Sequence, residues 1–78
     1  MVYAFVMVKT DSGASEGVVE SIRGLGETIH EATVVAGDFD VIVEVETEEV
    51  YDVLETVSGK IGGLGGVLDT KTYVSLGD

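Results

Sequence analysis

Residues 31–46 read EATVVAGDFDVIVEVE, and the reading of this stretch decides the fold. From Phe39 to Glu46 apolar and polar residues alternate. Phe39, Val41, Val43 and Val45 fall on one face; Asp40, Ile42, Glu44 and Glu46 fall on the other. A period of two is that of a strand with one face buried. Upstream, residues 28–36 (TIHEATVVA) are rich in β-branched side chains and predict a second strand. Gly37-Asp38 between them is a turn signal. The middle of the chain therefore predicts two neighbouring antiparallel strands.

Working outward, residues 2–8 (VYAFVMV) form an unbroken apolar run of the kind found in strands covered on both faces. Asp11-Ser12-Gly13 ends it, and Ser12 or Ser15 can cap a following helix. Ala14, Val18, Val19, Ile22 and Leu25 fall on one face of that helix, with Gly24 and Gly26 as terminators. After the central strands, Thr47 is a candidate N-cap with Glu48 and Glu49 in the first turn. Val50, Val53, Leu54, Val57 and Ile61 form the stripe of a second helix. The stretch 59–66 (GKIGGLGG) ends it as a loop, and residues 67–76 (VLDTKTYVSL) make the last strand. The order β-α-β-β-α-β predicts an α+β, ferredoxin-like fold: one four-stranded antiparallel sheet, in the order 4-1-3-2, with both helices on one face.

Such a layout leaves the other sheet face bare. With Ala4, Val6 and Val8 turned to the helices, Tyr3, Phe5 and Met7 must point away, joined by Ile42. An aromatic patch of that kind marks an interaction surface. It predicts a dimer formed sheet face on sheet face, with Tyr3, Phe5, Met7 and Ile42 in the interface. The length agrees: 78 residues allow one domain, 1–78, and a core this small gains from oligomerisation.

Composition narrows the function classes. Four Lys and Arg stand against 15 Asp and Glu, a formal net charge of -11. Direct contact with nucleic-acid phosphates is therefore not expected. Without Cys there is no disulfide framework and no thiolate metal site. At 45% apolar the chain is too hydrophobic for an acidic disordered segment. No apolar run approaches the ~20 residues of a membrane span, and no signal-peptide pattern opens the sequence. A cytoplasmic protein without membrane association is expected. The carboxylates have two readings: a surface adapted to high salt, or a docking face for a basic partner. Their dispersion along the chain favours the first.

Few residues carry recognisable chemistry. In Gly37-Asp38-Phe39-Asp40, glycine can take a positive φ and admit another group to its backbone. Asp40 needs a partner, whether water, a backbone N–H or a ligand ammonium; a plain hairpin turn is the simpler account. Thr70 and Thr72 share one face of the last strand. Their hydroxyls can hold a ligand carboxylate, or the pair merely reflects β-propensity. The Gly-rich loop lacks the order and context of a phosphate loop. The acidic residues near Asp38 lack the calcium-loop spacing. The single histidine, His30, would need a paired acid or nucleophile for catalysis, and its neighbour Glu31 is expected on the opposite face of the strand. Neither a metal, a cofactor nor catalysis is expected.

Two segments carry a family resemblance: residues 31–46, with Gly37 and Asp40 as G-x-x-D, and residues 63–76 (GLGGVLDTKTYVSL), with Thr70 and Thr72 as T-x-T. In order, and over nearly the whole chain, they resemble the effector-binding domain of the Lrp/AsnC regulators, also called RAM. The resemblance implies sheet-to-sheet dimers that assemble into rings and bind small amino acids where dimers meet. It implies ligand contacts from Gly37, Asp38 and Asp40, with Thr70 and Thr72 from a neighbouring subunit. Because the first strand begins at Val2, the usual N-terminal DNA-binding domain is not expected. The chain resembles the stand-alone effector domains of archaea and bacteria, and its acidity resembles that of halophilic archaeal proteins.

The expected function is thus an amino-acid-binding and oligomerisation module in transcriptional regulation, with co-assembly with full-length Lrp/AsnC regulators as an extension. Two alternatives remain, the first sharing the sheet-on-sheet packing and the second the element order. One is a small dimeric α+β-barrel enzyme of monooxygenase or isomerase type, for which His30 and Tyr51 are the candidates. The other is an ACT-type regulatory domain.

Overall fold

A computed structural model describes residues 1–77, the Ser58 side chain apart; Asp78, the last residue of the expected domain, lies outside the described residues. The elements are β1 (Val2–Thr10), α1 (Ser15–Arg23), β2 (Ile29–Val34), β3 (Val41–Thr47), α2 (Val50–Thr56) and β4 (Val67–Val74). A π-helical turn, Val57–Ile61, prolongs α2 into the stretch expected to be loop. The strands form one antiparallel sheet in the order β2-β3-β1-β4. This is the expected ferredoxin-like α+β architecture.

The core lies between the sheet and its helices and is built from small aliphatic side chains. Ala4, Val6 and Val8 on β1 and Val41, Val43 and Val45 on β3 are fully buried. Val18, Val19 and Ile22 from α1, with Val53, Val57 and Ile61 around α2, close over them. Each fully buried Val or Ile among them contributes roughly 1.5–3 kcal/mol by leaving water. None of the five aromatic residues belongs to this core.

Local chemistry departs from expectation at three places. Neither Ser12 nor Ser15 caps α1. Ala14 holds the N-cap position without a side-chain hydrogen bond, and the Ser15 hydroxyl instead meets the Thr10 hydroxyl at 2.9 Å. Thr47 stays in β3 and donates its hydroxyl to the Glu49 carbonyl at 2.7 Å, so α2 starts later than expected, after Glu49. Phe39 does not join the buried face of β3. Residues 37–40 form a bend, so the alternation holds only from Val41 onward.

The apolar stripe of α2 is also wider than the sheet beneath it. Val53, Val57 and Ile61 are buried, but Val50 and Leu54 are about half exposed. By contrast α1 ends as expected at Gly24, with Glu16 in its first turn and Arg23 in its last, where both suit the helix dipole. Arg23 Nη2 donates to the Ala32 carbonyl at 3.0 Å and ties α1 to β2.

Candidate functional site

The strand registers fix what each face displays. Tyr73 pairs with Phe5, and Phe5 with Glu44; Lys71 pairs with Met7, and Met7 with Ile42. All lie on the face that the helices leave open. Tyr3 lies there too, its ring 6.1 Å from that of Phe5 and edge-on to His30 at 5.8 Å. Phe5 is 40% exposed and Tyr73 59% exposed, although both are large and apolar. Tyr3, Phe5, Met7 and Ile42, the residues expected on an open face, are brought together there. Tyr73 belongs with them. Its position next to Thr72 carries that signal, since neighbouring strand residues point to opposite faces.

A hollow of about 480 Å³ opens at one end of this face. Gly37 and Asp38 line it, with Met7, Ile42, Phe39 and Tyr73 among the walls. Gly37 has φ +155°, and a Cβ placed there would meet nothing within 4 Å. Its backbone is therefore open to approach from outside the chain. Lys9 Nζ donates to the Asp38 carbonyl at 3.0 Å and holds the loop against β1.

Asp40 finds its partner within the chain: its Oδ2 accepts the Thr10 N–H at 2.8 Å. The Asp40 N–H donates to the Val8 carbonyl at 2.9 Å, and its carbonyl accepts the Val35 N–H at 2.8 Å. The second carboxylate oxygen has no protein donor among the described hydrogen bonds. Thr70 pairs with Val8 and Thr72 with Val6, both buried under the helices. The two threonines therefore stand on the helix side of the edge strand β4, half-buried. In one protomer the sheet separates them from the hollow beside Gly37.

A larger hollow, about 660 Å³, lies elsewhere and is lined by Glu27, Glu46, Glu48, Asp52 and Glu55 with Lys60. None of the motif residues reaches it, and its carboxylates repel any ligand that carries one. The smaller hollow, with apolar walls and open backbone, is the better candidate for a small ligand. His30 sits on the open face, its Nδ1 3.8 Å from Glu46 Oε1, whereas Tyr51 is 68% exposed on α2. These two side chains do not meet in a common pocket. Partial desolvation, then Glu44 and Glu46, raise the Tyr3 phenol above its ordinary pKa of 10.0. No group of three or more metal-ligating side chains occurs among the described residues, and no helix there is long and apolar enough to cross a membrane.

A ferredoxin-like domain with a bare aromatic sheet face and a ligand-sized hollow beside a G-x-x-D loop defines a class of small ligand-binding modules. Residues 3–78 match the family model of the Lrp/AsnC ligand binding domain. The chain belongs to that family. Among solved structures it is similar to a hypothetical protein from Pyrococcus horikoshii, with 31% identity, a TM-score of 0.89, and coverage of 100% of this chain and 93% of that one. A protein from Thermus thermophilus gives 26% identity and a TM-score of 0.93, covering 100% and 96%. A transcriptional regulator from Neisseria meningitidis, solved as a complex with L-Met, shares the fold with a TM-score of 0.86 at 18% identity. There the match covers 99% of this chain but 51% of the regulator, about half its length. No curated protein matches the chain.

Proposed function

We propose that this chain binds a small amino acid between subunits and, through its assembly, tunes transcription in amino-acid metabolism without catalysing a reaction. The observation that carries the reading is the hollow at Gly37 and Asp38, which opens on the same bare face as Tyr3, Phe5, Met7 and Ile42. The L-Met complex of the Neisseria meningitidis regulator supports an amino acid as the ligand class. Asp38 and the free oxygen of Asp40 suit an ammonium group. Backbone N–H groups near Gly37, with the Thr70 and Thr72 hydroxyls of another subunit, suit a carboxylate.

Two protomers pair on their open faces and hide the apolar patch; the partner then covers the Met7, Ile42 and Tyr73 side of the hollow, and the Gly37–Asp38 loop at its rim is left for a further dimer to complete the ligand site. Co-assembly with full-length Lrp/AsnC regulators would connect the ligand to DNA, since the chain's own charge of -11 opposes direct contact. The same charge fits an origin in a halophilic, archaeal cytoplasm, where salt screens repulsion between subunits.

Isothermal titration of the folded protein against the twenty amino acids in molar salt, with light scattering in parallel, tests this. Binding of at least one amino acid is expected, together with a mass of at least two chains that falls in dilute buffer. Silence across the panel from a well-folded oligomer would refute the ligand; a mass that ignores salt would refute the role given to the acidity.

A further inference from the structure

The larger hollow, about 660 Å³, lies away from the Gly37 loop. Thr47 in its wall pairs with Val2, whereas Ile42 and Met7 of the smaller hollow pair toward the other end of the same ladder. Its volume is that of a small-molecule site. Five carboxylates line it, from Glu27, Glu46, Glu48, Asp52 and Glu55, against two cationic residues, Lys60 and the amino-terminal Met1. Among the described residues the salt bridges are Arg23–Glu20 and His30–Glu46, so Glu27, Glu48, Asp52 and Glu55 have no cationic partner within the chain. Asp52 and Glu55 stand three apart on α2, where neighbouring like charges repel.

An acidic lining alone is only a solvated surface. Thr56 adds an observation of another kind. It lines the same hollow, next to Glu55, and is 5% exposed. A helical threonine often returns its hydroxyl to the carbonyl four residues back, but no described hydrogen bond uses the Thr56 hydroxyl. No side-chain oxygen among the described residues is sealed off without a partner, so this hydroxyl reaches open space, and the open space beside it is the hollow. A hydroxyl so placed offers a donor and two acceptor positions to whatever fills the cavity.

The spacing of the charges selects the ligand class. No three acidic or histidine side chains among the described residues are grouped to hold one metal ion. A compact dication needs many oxygens at once, whereas carboxylates spread round a hollow suit a cation whose charge is spread as well. We infer that this hollow binds a linear organic polyamine, with ammonium groups against Asp52, Glu55 and Glu27 and an N–H donated to Thr56 Oγ1. The site is separate from the hollow beside Gly37, so it stands whether or not an amino acid binds there.

Equilibrium dialysis of the folded protein against labelled spermidine at fixed ionic strength tests it, with Mg²⁺ as a second arm. One spermidine per chain is expected, with Mg²⁺ about tenfold weaker. A net charge of -11 attracts any cation without a site. Thr56→Val separates the two effects, because it alters no charge and keeps the branched shape of the side chain. It is expected to weaken spermidine about fivefold, and to leave the ligand-free melting midpoint unchanged or raised, since the hydroxyl has no partner in the chain. Glu55→Gln should weaken binding about three- to tenfold, and Glu31→Gln, outside the hollow, less than about twofold. Equal weakening by the two glutamine variants with Thr56→Val silent is attraction by net charge alone and overturns the site. Mg²⁺ bound as tightly as spermidine, with the same dependence on Glu55, overturns the polyamine class. A chain that retains no spermidine overturns both.

Discussion

Replacing Asp40 with alanine separates a structural carboxylate from a ligand group. Asp40 joins three segments: its side chain accepts the Thr10 N–H at 2.8 Å, and its backbone bonds to Val8 and Val35. Thr10 is 7% exposed, so its amide has little access to water once the carboxylate is gone. A hydrogen bond to a charged group is worth about 1.5–3 kcal/mol, and orphaning a buried donor costs about 1–3 kcal/mol. Asp40 itself is only half-buried, so water recovers part of this and about 1–2 kcal/mol is expected. A chain of this size has roughly 4–12 kcal/mol of total stability. At about 4–8 °C per kcal/mol, the midpoint should fall by about 5–15 °C. Far-UV circular dichroism in urea and on heating measures it, at two protein concentrations because the proposed pairing would add to apparent stability. Asn at position 40 retains an acceptor oxygen and should recover much of the loss. If the alanine variant melts with the wild type, the Thr10 contact contributes nothing and the carboxylate is free for a ligand.

Two further variants probe the loop and the open face. Gly66 has φ +94°, and an added Cβ would meet Ala14 Cβ and Val18 Cγ2 at 3.1 Å each. Gly66→Ala should cost about 2–3 kcal/mol from backbone strain and crowding, whereas Gly63→Ala, in open space at an ordinary φ, should be neutral or stabilise by about 0.4–1 kcal/mol; urea midpoints decide, and equal effects would refute the contrast. For Tyr3, the folded phenol holds its proton above its ordinary pKa of 10.0, so stability should decline as pH rises from the unfolded value through the folded one. With Tyr51 and Tyr73 changed to Phe, absorbance titration should give a midpoint above 10.0 that falls in Glu44→Gln; a midpoint indifferent to residue 44 would remove that carboxylate as a cause.

What the sequence makes legible is what local periodicity encodes. The alternation of Val41, Val43 and Val45 places β3 correctly because each residue's face depends only on its neighbour's. Phe39 fails because the backbone bends at 37–40, and a bend resets the alternation. The caps fail for a related reason. Thr47 and Ser15 are good capping types, but each hydroxyl is bonded elsewhere, to Glu49 and to Thr10. The partner of Asp40 is thirty positions away in the chain, beyond any spacing rule. That Thr70 and Thr72 share a face is readable from their separation. Which face they share is set by the register of β4 on β1, and no local pattern reports it.

The face that Thr70 and Thr72 take constrains how a ligand site can be completed. Thr70 pairs with Val8 on one side of β1, while the Asp40 N–H bonds to the Val8 carbonyl on the other. The two residues are about two strand spacings apart, ~10 Å, with β1 between them. Near as the backbones are, the Gly37 loop and the threonines serve opposite faces: the hollow beside Gly37 opens on the bare face, and the threonines stand under the helices. An amino acid cannot touch both through the sheet of one subunit. Pairing on the open faces does not cure this, because it leaves the threonines on the outside of the dimer. If the threonines and the Gly37 loop hold one ligand, the second contact must come from a further dimer, applied at the edge strand β4. The separation of faces thus links ligand occupancy to assembly beyond the dimer: a ligand spanning that contact binds only the assembled form, and by mass action favours it.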